Sequence, residues 1–258
     1  MQGTDRGRFS CTTRIGNWFE EMVNEDEKMR EFLEKKENGQ LTIQRIRQNL
    51  ATVTIPASQP DKYLRYGQPI RIVNGELHCS LACDPGDAEN VDEGMYSATG
   101  CRTSELTARN VWVIRKLPAK KTDVLPPLSD DEQEDVVRYG DEFVISSTEY
   151  LDAKPYYLAS HILDWSHFSR VAHKQIVYST QKYSFACAWR VESIGNNSMM
   201  EKEGEPVPVG EFVFLKHSGT MAPLAAHEGQ HLNDYGSEYE LIANKIPGKK
   251  MIWAFQDH

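Results

Sequence analysis

The feature that most constrains the fold is a strand-like pattern that occurs three times in 258 residues. Each copy is centred on a glycine, Gly67, Gly140 or Gly210, with apolar residues at positions −3, −1, +3 and +5. This alternation is typical of a strand with one buried face, and the glycine indicates a bulge or a bend. Because the pattern repeats, the three copies are best understood as units of one architecture.

Each copy continues with a Leu-Ala pair and then with a tryptophan in a short apolar strand. The leucines are Leu81, Leu158 and Leu224, and the tryptophans are Trp112, Trp189 and Trp253. The leucine follows the glycine by 14, 18 and 14 residues, and the tryptophan follows the leucine by 31, 31 and 29. Three strand-rich units of about 70 residues cannot each bury an apolar face, so they are expected to share one core. The sequence therefore predicts a mainly β protein, a β-trefoil of three pseudo-repeats at about residues 61–130, 131–203 and 204–258.

An N-terminal arm with two α-helices, within residues 1–60, is predicted to precede the trefoil domain at 61–258. Asn17 and Glu20 have the spacing of a capping box, and Asn38-Gly39 is a typical helix stop, which predicts a helix over about residues 18–37. A second helix is predicted near residues 41–50. Either the apolar faces of these helices pack on the main domain, or they dock on a partner.

The composition disfavours several classes of function. The chain has 29 basic and 38 acidic residues, a formal charge of −9, which disfavours a general nucleic-acid binder. Apolar runs fall well short of the roughly 18 residues that span a bilayer, and the N-terminus lacks the apolar region of a secretory signal. Five cysteines without a C-x-x-C pair indicate free thiols in a reducing compartment.

Two sets of residues are candidates for chemistry, and the sequence favours a structural role for both. Cys187-Ala188-Trp189 is similar to the edge of a papain-like nucleophile, but Trp189 has counterparts in the other two copies, which favours a core strand. The histidine-rich groups do not match zinc-motif spacing. Their members are His161, Asp164, His167 and His173 in one group and His217, His227 and His231 in the other. The sequence predicts no catalytic residue, no metal and no cofactor.

Carbohydrate binding is the second function class. Tyr156, Tyr157 and Trp165 could stack on a sugar ring if they are exposed. The chain would then be a soluble, lectin-like trefoil. The tryptophans do not lie in the Gln-x-Trp pattern of ricin-type trefoils, and core packing explains them.

The sequence resembles two known families. Residues 213–227 resemble the MIR-type trefoil motif, in which a strand with a histidine leads through a small-residue turn to leucine and a terminal histidine. A closer likeness covers nearly the whole chain. Residues 14–18 (Arg-Ile-Gly-Asn-Trp), 32–35 and 39–45 resemble the N-terminal signature of the cilia- and flagella-associated protein 161 family, and later elements follow in the same order.

The resemblance implies a non-enzymatic microtubule inner protein. Such a protein binds the luminal wall of axonemal doublet microtubules, in the A-tubule, and stabilises the doublet for ciliary and flagellar motility. Its implied partners are α/β-tubulin and other microtubule inner proteins, with no nucleic acid and no membrane. The predicted partner-binding residues are Arg14, Ile15, Gly16, Asn17, Trp18, Arg45 and Arg47.

Overall fold

In the computed structural model, the described residues form an N-terminal helical region followed by twelve β-strands. The structure describes residues 11–39, 41–56, 60–89, 93–118, 124–127, 135–194, 202–246 and 248–257, with side chains from residue 20 onward in the first helix. Two compact units divide the chain, Met1–Arg47 and Gln48–His258. None of the described helices is both long and apolar enough to cross a membrane.

The helical region consists of α1 (Cys11–Glu37) and α2 (Thr42–Asn49). The chain leaves α1 at Gly39, whose φ of 69° is the left-handed conformation of a helix C-terminus, and the basic Lys35 and Lys36 lie in the last turn. The predicted start at residue 18 is corrected to Cys11. A capping box is a local preference, and an asparagine is tolerated within a helix that continues past it.

The strands are short and all of their pairings are antiparallel. They are β1 (Pro69–Asn74), β2 (Ser80–Ala88), β3 (Met95–Cys101), β4 (Trp112–Lys116), β5 (Glu142–Ser147), β6 (Tyr157–Ser160), β7 (Gln175–Thr180), β8 (Ala188–Ser193), β9 (Phe212–His217), β10 (Leu224–Asn233), β11 (Gly236–Ala243) and β12 (Ile252–Gln256). Short 3₁₀ helices at Phe185–Cys187 and Lys249–Met251 lead into β8 and β12.

Ten of these strands pair in a closed ring. The order is β11-β3-β2-β1-β12-β9-β8-β5-β6-β7, and the β7–β11 pairing completes it. The other two strands join this ring from its sides, because β10 pairs with β11 and β4 pairs with both β1 and β5. The second unit is therefore a closed antiparallel β-barrel.

The predicted fold class was wrong. The described chain is a closed antiparallel barrel that follows an N-terminal helical region with one short interruption, not a β-trefoil of three pseudo-repeats. The reason is that an alternating pattern shows which face of each strand is buried, but not which strand it pairs with. Pairings between distant strands, such as β1–β12 and β7–β11, close the ring.

One hydrogen bond recurs three times in the barrel core. The indole Nε1 of each buried tryptophan donates to the backbone oxygen of a leucine about thirty residues earlier. The pairs are Trp112 to Leu81 at 2.8 Å, Trp189 to Leu158 at 2.8 Å, and Trp253 to Leu224 at 2.9 Å. All six side chains are fully buried. Because a buried indole N–H needs an acceptor, these bonds satisfy the polar atom of a side chain that otherwise fills the core.

The three pattern glycines lie at turns with positive φ, between 76° and 92°. Each backbone N–H donates to the oxygen of the residue two positions after a core tryptophan. The bonds are Gly67 to Ile114 (2.8 Å), Gly140 to Val191 (2.9 Å) and Gly210 to Phe255 (2.7 Å). Glycine is favoured here because side chains disfavour this backbone conformation. The three leucine and three tryptophan side chains therefore lie in the barrel core, whereas the glycines lie at turns that bond to the tryptophan strands.

Candidate docking surfaces

Helix α1 carries an exposed apolar stripe, which we define as Met22, Val23, Met29, Phe32 and Leu33. These side chains are exposed by 38–59%. Because successive residues are 100° apart around a helix, Met22, Met29 and Leu33 lie close to one line along its surface. Val23 and Phe32 lie on either side of that line. Acidic residues such as Glu27 and Glu31 lie on the opposite face. An amphipathic helix with an exposed apolar face is the form in which helices dock into grooves on other proteins.

The predicted partner-binding residues all lie in the two helices. Arg14, Ile15, Gly16, Asn17 and Trp18 are in the first turns of α1, where their side chains lie outside the described residues. Arg45 is half-buried and Arg47 is exposed, both in α2. Their role in binding stays a prediction.

A second exposed surface is the loop between β6 and β7, residues 161–174, which we call the Trp165 loop. Trp165 is 91% exposed, and Ile162, Leu163, Phe168 and Val171 are also exposed. Single exposed apolar residues are common on protein surfaces, but a group of five in one loop marks a candidate interaction site.

The base of the Trp165 loop is held on the barrel by charged groups. Arg170 donates to Asp87 and Glu89, both at 2.9 Å, and Asp87 also lies 2.8 Å from His231. Burial opposes the charge on Asp87, but hydrogen bonds from Ser97, Arg170 and His231 prevail and lower its pKa. The backbone N–H groups of residues 171 and 172 donate to the two carboxylate oxygens of Glu240, both at 2.8 Å. The loop that carries the exposed Trp165 side chain is therefore held on the barrel through residues 170–172.

The aromatic residues weighed for sugar stacking are not together at the surface. Tyr156 is buried and packs edge-on against Tyr96, with ring centroids 5.3 Å apart. Tyr157 is buried against Tyr183, at 5.9 Å. Of the three aromatic side chains considered for sugar stacking, Trp165 is exposed and is the one that a sugar ring could reach.

The structure brings some of the candidate metal ligands together and separates the others. The Trp165 loop places His161, Asp164 and His167 next to one another. His173 packs on Phe168, whereas the other group is spread over strands: His217 in β9, and His227 and His231 in β10.

A buried ion pair that sequence reasoning missed lies between the core strands. Arg109 makes a bidentate contact with Glu238, with Nη1 donating to Oε1 at 2.7 Å and Nη2 to Oε2 at 2.8 Å. Its Nε donates to the backbone oxygen of Cys83 at 3.2 Å, and its guanidinium lies 3.7 Å from the centre of the Tyr235 ring. Glu238 also accepts from Thr99 at 2.7 Å. The pair therefore connects β11 to β2 and β3.

Burial opposes the charges of this pair, but each partner stabilises the other. The pKa of Glu238 is lowered and the pKa of Arg109 is raised, because their hydrogen bonds and mutual attraction outweigh desolvation. The partners are 129 residues apart in the sequence, so no local pattern could have found them.

The four cysteines whose side chains the structure describes, Cys79, Cys83, Cys101 and Cys187, are free and buried. Burial raises the pKa of Cys79 and Cys83 to about 12 and of Cys187 to about 11, and it also raises the pKa of Cys101. A nucleophilic cysteine instead needs a lowered pKa and access to solvent. Cys187 therefore has the environment of a core residue.

These four thiols are expected to resist an alkylating reagent at about pH 7 in the folded protein, because the reactive thiolate is scarce and inaccessible. Mass spectrometry of digested protein would compare labelling of each cysteine with and without guanidinium. The denatured chain is the control, in which all four peptides should be labelled. Rapid labelling of Cys187 in the folded protein would contradict its assignment to the core.

No family model matches this chain. Curated relatives do match, over nearly its whole length. Cilia- and flagella-associated protein 161 of Danio rerio is 28% identical over 259 residues, covering 92% of this chain and 81% of the relative. The proteins of that name from Bos taurus and Mus musculus are each 29% identical, covering 90% of this chain and 74% and 80% of the relatives. The predicted family resemblance is confirmed.

Solved structures show the same fold at low identity. The SDF2-like protein from Arabidopsis thaliana has a TM-score of 0.60 at 17% identity, covering 76% of this chain and 95% of that one. A Caenorhabditis elegans protein described as having unknown function has a TM-score of 0.59 at 16% identity, covering 78% and 99%. At such identities the likeness concerns the fold alone. The resemblance to cilia- and flagella-associated protein 161 covers about 90% of this chain.

Proposed function

We propose that this chain is a non-enzymatic structural protein of cilia or flagella that binds the luminal wall of axonemal doublet microtubules. In this proposal it contacts tubulin and neighbouring inner proteins in the A-tubule and stabilises the doublet for motility. The observation that carries the proposal is the match, over about 90% of the chain, to relatives named for cilia and flagella. The luminal position and the tubulin contact rest on the N-terminal family signature.

The exposed surfaces of the chain support a role in assembly. The α1 stripe and the Trp165 loop present apolar side chains, whereas the described thiols are buried. An acidic protein on an acidic polymer depends on shape and local pairing more than on overall attraction. Many modest contacts, repeated along a filament, would retain the protein through multivalency.

Axoneme fractionation tests the proposal directly. The tagged protein would be expressed in a ciliated cell, and isolated axonemes would be washed with high salt to remove external dyneins and linkers. We expect the protein to remain with the doublets, and cryo-electron microscopy of those doublets would then locate it. Release into the salt wash, or absence from cilia, would contradict a luminal position and direct attention to a soluble binding role.

We expect the α1 stripe to be needed for incorporation. Replacing both Met29 and Leu33 by glutamine removes two exposed apolar side chains, each worth roughly 1.5–3 kcal/mol if it becomes fully buried at an interface. Incorporation should therefore fall by roughly tenfold or more. The measurement is the ratio of axonemal to soluble protein in cells.

The matched control for this variant replaces Glu27 and Glu31 by glutamine on the opposite face of α1. Circular dichroism would show that both variants keep their helix. A truncation that begins at Gln48 removes the whole first unit, Met1–Arg47, and keeps Asn49, whose side chain bonds to Tyr235 within the barrel unit. Equal incorporation of the truncated and full-length chains would refute a docking role for the arm.

A further inference from the structure

The start of the Trp165 loop brings three potential metal ligands together. Asp164 accepts hydrogen bonds from the backbone N–H groups of Ser166 at 2.8 Å and His167 at 2.7 Å, which reverses the chain. The reversal stacks the His161 and His167 rings, with centroids 4.0 Å apart. One ligand atom from each of the three side chains lies within 4.8 Å of the others.

We propose that His161, Asp164 and His167 form a binding site for a divalent transition-metal ion of the zinc class. Imidazole nitrogens and a carboxylate oxygen are ligands that Zn²⁺ prefers. Three protein ligands leave a further position for water, as in open zinc sites. The proposal is independent of the proposed function.

The backbone turn uses only one of the two carboxylate oxygens of Asp164, which supports this site. The turn uses Oδ1, which accepts from both backbone N–H groups and from the Ser166 hydroxyl at 2.9 Å. The other oxygen, Oδ2, takes no part in the backbone turn. It lies 2.9 Å from His167 Nδ1, which is also 3.0 Å from Oδ1, and 3.9 Å from His161 Nδ1. An Asx turn needs one oxygen, so the turn leaves the second to act as a ligand.

The surroundings of the rings fit the same role. His161 Nδ1 lies 3.0 Å from the backbone oxygen of Ile162, and a proton donated there leaves the lone pair on Nε2. A metal-bound histidine commonly donates its other N–H in this way, which orients the ring. The ligand side chains are 16–38% exposed, so an ion from solvent can reach them.

The charge of the site also suits a dication. With neutral imidazoles, Asp164 supplies a single negative charge. Within the part of the chain that the structure describes, both ion-pair partners of Asp164 are these two histidines. His161 directly follows β6, so its position is set by a paired strand. Since Trp165 lies between the ligands in the sequence, a bound ion would also fix the backbone that carries this exposed ring.

Zinc titration of the full-length chain, without a polyhistidine tag and in chelator-free buffer, tests the site. Isothermal titration calorimetry should show saturable binding of one Zn²⁺ per chain, accompanied by a change in Trp165 fluorescence. Cobalt(II) absorption would report nitrogen and oxygen ligation. The absence of saturable Zn²⁺ binding to the unmodified chain would overturn the proposal.

The decisive variant is Asp164→Asn, because an asparagine side-chain oxygen can maintain the turn while the anionic ligand is lost. We expect Asp164→Asn and His167→Ala each to weaken binding at least roughly tenfold, the lower end of losses seen even for residues that support a ligand indirectly. His173→Ala, in the same loop, is the control and should bind like the unmodified chain. Circular dichroism and thermal unfolding verify the fold of each variant. Undiminished binding in both ligand variants, or an equal loss in the control, would assign the zinc to another place.

Discussion

Replacing Trp189 by alanine is expected to lower the free energy of unfolding of the barrel by about 3–5 kcal/mol. The side chain is fully buried, and its Nε1 donates to the Leu158 oxygen at 2.8 Å. It lies in β8 opposite Phe143 of β5 and His217 of β9. The substitution therefore leaves a cavity where three strands meet and removes the partner of a buried carbonyl.

Urea unfolding followed by far-ultraviolet circular dichroism would measure this loss, because that signal does not depend on the deleted indole. Trp165→Ala is the matched control, since this side chain is 91% exposed, and it should change stability by no more than about 0.5 kcal/mol. Trp189→Phe keeps an aromatic ring but loses the donor, so an intermediate loss is expected. Equal stability of Trp189→Ala and Trp165→Ala would disprove the assignment of Trp189 to the core.

Glu238→Gln is expected to cost about 3–5 kcal/mol near pH 7, the range for removing one member of a buried ion pair. The amide keeps the shape of the side chain but leaves the charge of Arg109 uncompensated. The Arg109 side chain is 2% exposed, so solvent cannot replace the lost carboxylate. Denaturant unfolding of both chains at several pH values is the measurement.

The pH dependence has a definite sign. The carboxyl of Glu238 has a lowered pKa in the folded protein, because Arg109 and its hydrogen bonds outweigh burial. The pair therefore contributes its full stability above about pH 4.3, the ordinary glutamate value, and loses it as the pH falls through the lower folded-state pKa. Glu238→Gln should lack this part of the acid dependence.

Glu228→Gln is the control for this experiment, because it makes the same chemical change in an exposed pair with Lys250. It should leave stability unchanged, as is usual for exposed ion pairs. A double variant, Arg109→Met with Glu238→Leu, should recover part of the loss, since it removes both charges together. If Glu238→Gln were as stable as Glu228→Gln, the buried pair would not have the proposed energetic role.

The sequence was informative where a property depends on neighbours along the chain. Alternation around Gly140 shows which side chains of the following strand face the core, and spacing relates Trp189 to Leu158, the residue to which it bonds. Strand pairing was not accessible, because a strand can present the same buried face to several partners. That is why the repeated pattern led to a trefoil instead of the closed ring.

The missed sites depend on folding in two different ways. Arg109 and Glu238 meet only after β2, β3 and β11 have assembled, so neither residue stands out in its own segment. His161, Asp164 and His167 are close in sequence, but standard zinc spacings do not describe them. Their convergence depends on the turn that Asp164 itself makes, and this turn is a three-dimensional property.

The pairing of β1 with β12 has a consequence for biosynthesis. Four residues of β1, Arg71–Asn74, bond to a strand that the ribosome delivers after all the others of the barrel. The ring therefore cannot close on a nascent chain until residues up to Gln256 have emerged. Until then these β1 groups lack their final partners and present a strand edge of the kind on which chains aggregate. Closure therefore follows the synthesis of β12, and before that point the unpaired β1 edge is where a chaperone would protect the chain.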